Sequence, residues 1–131
     1  MLFRSYALAA HGLPRATGDI DLWVRPSTDN AKRVFRALVK FGAPVDQFSA
    51  ADFELSDQIL QLGVPPGRVD VITSLDAVTF DEAWPNRLIV EVDGLSVSVI
   101  GRAELLRNKK SVARPQDLAD VAQLEAQQRQ R

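Results

Sequence analysis

The chain has 131 residues, of which 46% are hydrophobic and 25% charged, and its formal net charge is -1. This composition indicates one globular domain over residues 1–131, and it argues against a disordered chain or one that attracts nucleic acid by overall charge. With no cysteine and His11 as the single histidine, any bound metal would be a hard cation held by oxygen. No signal peptide or membrane-spanning apolar run is visible, so we expect a cytoplasmic protein without membrane contact.

The N-terminal segment predicts a short helix over residues 3–11, ended by Gly12 and by Pro14 beyond it. The segments that follow predict an α/β (α+β) fold, in which a strand would normally lead into such a helix. Because no strand precedes it in the sequence, we expect the first strand of the sheet to be missing.

Two carboxylates lie one residue apart on a segment, residues 15–24, that otherwise predicts a buried strand. Because side chains alternate along a strand, Asp19 and Asp21 share one face and the intervening apolar residues share the other. Two like charges this close repel unless a cation neutralises them. The pair is therefore a metal site, an edge strand whose charges block aggregation, or two solvated acids near a turn.

A helix is predicted from about Asp29 to Phe41, with Ser27 or Thr28 as its cap. Its apolar residues recur at the spacing of one helical face. The other face is basic and carries Lys32, Arg33, Arg36 and Lys40. That face is either a solvated surface or a contact for nucleic acid.

After a polar connection with a helical turn at residues 50–53, residues 58–62 and 68–73 predict the two strands of an antiparallel hairpin. Pro66 and Gly67 suit the centre of a type II turn between them. Within the second strand, Asp70 lies in the run Val-Asp-Val-Ile, where burial is costly unless the carboxylate is paired or binds a cation. The alternative is a strand whose Asp70 side faces water.

The C-terminal half predicts, in chain order, a helical turn over residues 81–84 closed by Pro85, a hairpin of residues 87–92 and 95–100, a helix over residues 102–109, and a helix that begins at Pro115. Asp93-Gly94 is a strong turn signal for the hairpin. The apolar stripe predicted for the last helix consists of Leu118, Val121, Ala122 and Leu124. We expect the polar tail, residues 127–131, to fray.

Three stretches carry a resemblance to a known family: residues 14–21, which contain Asp19-Ile20-Asp21, residues 68–73 around Asp70, and residues 108–120. The chain resembles the minimal nucleotidyltransferases of the DNA polymerase β-like superfamily. It is more closely similar to small bacterial nucleotidyltransferases of uncharacterised substrate that are related to abortive-infection toxins. The similarity runs from about Tyr6 to Leu124, and it implies a mixed sheet with helices packed on it.

The resemblance also implies a role for each matching residue. Asp19 and Asp21 would bind two Mg²⁺ ions with an NTP, and Asp70 would complete the shell of the catalytic ion and orient or deprotonate the acceptor hydroxyl. The implied nucleotide-binding residues are Ser5, Arg15, Thr17 and Lys109. Arg15 and Lys109 could instead be surface charges.

The chain departs from this family near its N-terminus. The family carries Gly-Gly or Gly-Ser where this sequence has Arg4-Ser5, and the side chain of Arg4 occupies a place where the backbone must approach the triphosphate. The departure implies weakened or lost nucleotide binding. Residues 1–5 also match the translation of a common sequencing-adapter end, and we hypothesise that they are not native and that the chain is truncated at its N-terminus.

Three functions are compatible with these patterns. The first is a nucleotidyltransferase acting on a hydroxyl of RNA, protein or a small molecule. The second is a catalytically degenerate nucleotidyltransferase-fold binding module that serves as an antitoxin or partner subunit, in which the acids of the motif are fold residues. In each case we assign structural roles to Asp117 and Asp120, which lie one turn apart near a helix N-terminus. The third is an RNA-binding module that uses the basic helix face. A missing edge strand would also leave an exposed sheet edge, through which we expect self-association.

Overall fold

The computed structural model describes residues 2–3, 20–64 and 67–129, and within them the protein is a mixed α+β protein, as the sequence predicts. The chain divides into two compact units, Gly18–Leu75 and Asp76–Arg131 with Met1–Thr17, which we call the sheet unit and the helical unit. Most of the predicted helix over residues 3–11 lies outside the described residues, as does Pro66 of the predicted turn.

In chain order the described elements are the strands β1 (Leu2–Phe3) and β2 (Ile20–Trp23), the helix α1 (Thr28–Phe41), a 3₁₀ turn (Ala50–Glu54), the strands β3 (Ile59–Leu62) and β4 (Val69–Ile72), the helix α2 (Phe80–Ala83), a second 3₁₀ turn (Trp84–Asn86), the strands β5 (Leu88–Val92) and β6 (Leu95–Val99), and the helices α3 (Arg102–Val112) and α4 (Pro115–Arg129). None of the helices in this part of the chain is long and apolar enough to cross a membrane.

The sheet unit is built around β4, which pairs parallel with β2 and antiparallel with β3. The predicted hairpin of β3 and β4 and the predicted strand β2 are therefore confirmed. One face of this mixed sheet, which includes Leu62 and Val71, packs against residues of α1 and of the loop and 3₁₀ turn that follow it. The buried core of this unit consists of Ala31, Leu38, Phe48, Phe53, Leu62 and Val71.

The helix α1 begins and ends at the signals that the sequence contains. The Ser27 hydroxyl accepts a hydrogen bond from the Asn30 N–H at 3.3 Å, so Ser27 rather than Thr28 is the cap. At the other end, Gly42 adopts a left-handed conformation with φ of 100°, and its N–H donates to the carbonyl oxygens of Leu38 and Val39. The buried face contains Ala31 and Leu38, with Val34 and Phe35 partly buried beside them, so most of the predicted apolar face is confirmed. Val39, which was predicted for the same face, is 43% exposed.

The sheet of the helical unit contains the predicted hairpin of β5 and β6, which turns at Asp93 and Gly94, both with positive φ. It also contains a strand that the sequence analysis did not expect. Strand β1 pairs parallel with β6, with Leu2 aligned to Val99, and Phe3 is in this strand rather than in a helix. The expectation that the first strand of the sheet is missing was therefore wrong. The strand was missed because two residues are too few to show the alternation that indicates a strand.

The C-terminal helices differ from prediction in length and in the face they bury. Helix α3 extends three residues beyond the predicted Lys109, and α4 continues to Arg129, through part of the tail that we expected to fray. In α4 the buried residues are Asp117, Asp120, Val121 and Leu124. Leu118 is 51% exposed and Ala122 is exposed, so half of the predicted apolar stripe faces solvent.

Pro85 does not close the helical turn that precedes it. Helix α2 ends at Ala83, and the chain continues through Trp84–Asn86 as a 3₁₀ turn with Pro85 in its first positions. A proline is compatible with the first turn of a helix because its missing N–H has no intrahelical partner there.

Candidate functional site

Two of the three acids predicted to bind metal are neighbours in the sheet unit. Asp21 on β2 is aligned with Asp70 on β4 in their parallel pairing. Adjacent strands are about 4.8 Å apart, and aligned residues project from the same face of a sheet. Asp70 is 5% exposed and Asp21 is half-buried, so the two carboxylates form a partly buried pair.

The carboxylate of Asp70 is held by a guanidinium from its own strand segment. Arg68 Nε lies 2.9 Å from Asp70 Oδ1, and Arg68 Nη2 donates to Asp70 Oδ2 at 3.2 Å. The Nη2 contact has the geometry of a hydrogen bond and the Nε contact is an ion pair, and together they offset the cost of burying the carboxylate charge. The sequence analysis missed this partner, although residues two apart on a strand share a face and the spacing of Arg68 and Asp70 is therefore a usable signal.

The row of polar groups continues onto β3, where Gln61 is aligned with Asp70. Alternation places Trp23 and Ile72 next along the same face, and both are almost fully buried. The row thus offers two carboxylates and one amide oxygen beside buried apolar side chains. Carboxylate and amide oxygens are the ligands that a hard divalent cation prefers, so the residues fit Mg²⁺ in kind.

The other residues predicted for this site are not described. Asp19, Ser5, Arg15 and Thr17 all lie outside residues 2–3, 20–64 and 67–129. Within these ranges no group of three or more His, Asp or Glu side chains is placed to hold a metal ion. The described part of the site is therefore a carboxylate pair with its guanidinium.

Lys109, the remaining predicted nucleotide-binding residue, lies in a buried ion-pair cluster in the helical unit. Its Nζ is 3.3 Å from Asp117 Oδ1 and 3.0 Å from Asp120 Oδ2, and no side chain of the three is more than 6% exposed. Arg114 Nε contacts Asp117 Oδ2 at 2.6 Å, and Gln116 Nε2 donates to Asp120 Oδ1 at 3.0 Å. These contacts tie α3 to α4.

The electrostatics of this cluster favour the ionised form of Asp117. The hydrogen bond from Arg114 is the largest cause that lowers the pKa of Asp117, and Lys109 lowers this pKa further, while burial works in the opposite direction. In return, Asp117 raises the pKa of Arg114. The cluster contains two acids and two bases, so its charges balance.

Comparison of the chain with models of protein families and with curated protein sequences found no match. The chemistry of the site therefore has to be inferred from its residues, which are the aligned carboxylates of the sheet unit and the sequence motif around them.

Proposed function

We propose that the protein is a metal-dependent nucleotidyltransferase, which transfers a nucleoside monophosphate from an NTP to a hydroxyl acceptor on RNA, protein or a small molecule and releases pyrophosphate. The observation that supports this most is the alignment of Asp21 with Asp70 on adjacent parallel strands. It puts two oxygen ligands side by side on one face of the sheet unit. In this proposal Asp19, two residues before Asp21 in the sequence, supplies the third carboxylate.

Each acid has a role in the proposed reaction. Asp19, Asp21 and Asp70 would hold two Mg²⁺ ions, and these ions would supply positive charge to offset the negative charge that grows during an in-line displacement. Asp70 also orients the acceptor hydroxyl and accepts its proton. Arg68 is a positioning residue, because its Nη2 donates a hydrogen bond to the Asp70 carboxylate and its guanidinium charge lies beside it.

The proposed nucleotide contacts are Ser5, Arg15, Thr17 and Lys109. Arg15 would use its planar fork on a phosphate, and Lys109 its point charge. The Lys109 ammonium already donates to Asp117 and Asp120, so at most one of its three N–H groups remains for a phosphate.

Calorimetric titration of the full chain with each NTP, with and without Mg²⁺, tests the proposal. We expect the native chain to bind an NTP in a Mg²⁺-dependent manner, and Asp21→Asn and Asp70→Asn to weaken this binding by about 10- to 100-fold or more. Asp46→Asn is the matched control, because Asp46 is an exposed residue of the same unit and the chemical change is identical. Absence of Mg²⁺-dependent binding to the native chain, or an equal loss in Asp46→Asn, would contradict the proposal.

The contact of Arg68 with Asp70 favours a second candidate, a catalytically degenerate nucleotidyltransferase-fold module that acts as an antitoxin or partner subunit. A guanidinium already placed on Asp70 offsets its charge without a metal ion. For this candidate we expect no NTP binding and a fold that is unaffected by Mg²⁺. Self-association through an exposed sheet edge was expected because the first strand was predicted to be missing, and the presence of β1 beside β6 removes that reason. A cytoplasmic location stays a prediction in both cases.

A further inference from the structure

The exposed face of α1 concentrates positive charge in a protein whose net charge is -1. We call this face the basic stripe, and it consists of Lys32, Arg33, Arg36 and Lys40, all of them exposed. At 3.6 residues per turn and 1.5 Å per residue, the four positions fall within an arc of about 100° and a length of about 12 Å. The stripe lies opposite the buried face that contains Ala31 and Leu38.

The cations of the basic stripe are not neutralised within the described part of the chain. None of the four forms an ion pair with a described carboxylate, although Asp29 lies one turn before Arg33. Exposed cations of α3 behave differently, since Arg107 pairs with Glu82 and Lys110 with Glu125. Like charges four residues apart on a helix are unfavourable, so the stripe carries repulsion that an anionic partner would relieve.

An aromatic side chain and a cavity follow directly after the stripe. Phe41 is 73% exposed at the end of α1. It borders a cavity of about 290 Å³, whose lining residues also include Pro44, Gln47 and Gln61. Aromatic faces stack on nucleobases, and amide groups can hydrogen-bond to base edges.

We propose that this face of α1 binds a single strand of nucleic acid. In this arrangement the basic stripe contacts successive phosphates, and Phe41 with the adjoining cavity receives a base at the C-terminal end of the helix. An acidic protein would also be electrostatically complementary to the basic stripe. However, protein interfaces have an apolar or aromatic centre with charges at the rim, whereas here the charges form the centre and the aromatic residue lies at one end.

Fluorescence anisotropy with a short labelled oligouridylate and the matching oligodeoxythymidylate tests this inference. The assay contains a chelator, so its outcome does not depend on the proposed metal chemistry. For four phosphate contacts to a single strand, the logarithm of the binding constant should fall with the logarithm of salt concentration with a slope of about -2.8. A preference for the ribose strand would show in addition that the 2′-hydroxyl is recognised.

The variant Arg33→Gln/Arg36→Gln removes two cations from the centre of the stripe. We expect its slope to be about -1.4 and its affinity at 0.1 M salt to be about 25-fold weaker, because each contact contributes about 0.7 to the slope. Lys110→Gln/Arg129→Gln is the matched control, since it removes the same charge from α3 and α4 and should leave both quantities unchanged. Phe41→Ala should weaken binding about fivefold or more with the slope unchanged, because stacking releases no counterions.

Three results would overturn the inference. The first is no binding of either oligonucleotide to the native chain at low salt. The second is an equal loss of affinity in Lys110→Gln/Arg129→Gln, which would show that overall charge rather than the stripe attracts the strand. The third is that polyglutamate of the same total charge displaces the oligonucleotide, and that polyglutamate binding is weakened equally in Arg33→Gln/Arg36→Gln. This result would show that the stripe binds an acidic protein.

Discussion

Asp70 in the sheet unit and Asp117 and Asp120 in the helical unit are all at most 5% exposed, but their surroundings differ. In the helical unit, Lys109 contacts both carboxylates, and each of the four carboxylate oxygens has a nitrogen donor at 2.6 to 3.3 Å. In the sheet unit, one guanidinium contacts Asp70, and a second carboxylate, that of Asp21, is aligned with it on the adjacent strand.

The difference separates a structural cluster from a candidate ligand site. Buried carboxylates must be paired, and a balanced set of acids and bases meets this requirement without any ligand. Two carboxylates on adjacent strands present several oxygens in one place, which is the donor set that a divalent cation uses. We therefore expect the stability of the protein to fall when the cluster of Asp117 and Asp120 loses its cation. Added metal should instead stabilise the protein through Asp21 and Asp70.

The largest effect is expected for Lys109→Met in the helical unit. Loss of the ammonium leaves Asp117 and Asp120 buried with too few cations, so the free energy of unfolding should fall by about 3–5 kcal/mol. Urea unfolding followed by circular dichroism measures this change.

The neighbouring lysine is the matched control for that experiment. Lys110 pairs with Glu125 at 2.7 Å, but both side chains are substantially exposed. Lys110→Met should therefore cost only about 0–1 kcal/mol. Equal losses for the two variants would show that Lys109 is not the centre of a buried cluster.

An intermediate effect is expected for Arg68→Gln in the sheet unit. Asp70 then loses the partner that contacts both of its oxygens, and the protein should be destabilised by about 1–3 kcal/mol in a chelator. Thermal unfolding with and without millimolar Mg²⁺ extends the test. Mg²⁺ should restore part of the lost stability in this variant, because a cation can replace the guanidinium beside two carboxylates.

Thermal unfolding of Lys109→Met with and without Mg²⁺ compares the acids of the helical unit directly with those of the sheet unit. Arg114 and Gln116 still contact Asp117 and Asp120 in that variant, so we expect little recovery. If Mg²⁺ stabilised Lys109→Met as strongly as Arg68→Gln, the distinction between the two groups of acids would be lost.

Local signals explain how much of the fold could be predicted. Helix α1 has a capping serine and a terminal glycine, and the turn of β5 and β6 has Asp93-Gly94, so these elements were predicted within a residue or two. Strand β1 was missed because two residues show no alternation. The pairing of β1 with β6 depends on contacts between distant parts of the sequence, which no local pattern contains.

The candidate metal site and the buried ion-pair cluster also depend on contacts between residues that are distant in the sequence. Asp21 and Asp70 were identified as acids on strands, but their alignment depends on the order of strands in the sheet, which residue spacing does not determine. The buried face of α4 was predicted from apolar residues alone. Asp117 and Asp120 are buried because they pair with Lys109 on the neighbouring helix α3. Their charge indicated an exposed face, and the sequence of α4 alone does not reveal this partner.

The smallest effect is a difference in acid sensitivity between the native chain and Asp117→Asn. The pKa of Asp117 is lowered from 3.8 in the folded protein, so its ionised carboxylate stabilises the fold above about pH 3.8, and this contribution is lost as the pH falls through the folded pKa. Asp117→Asn cannot take up this proton, so its stability should fall less as the pH is lowered below about 3.8. Glu82 and Glu125, whose pKa values are also lowered, are present in both proteins and cancel in the difference. Parallel curves of urea midpoint against pH would show that acid acts elsewhere, and that the helical cluster is held together by hydrogen bonds that do not require the charge of Asp117.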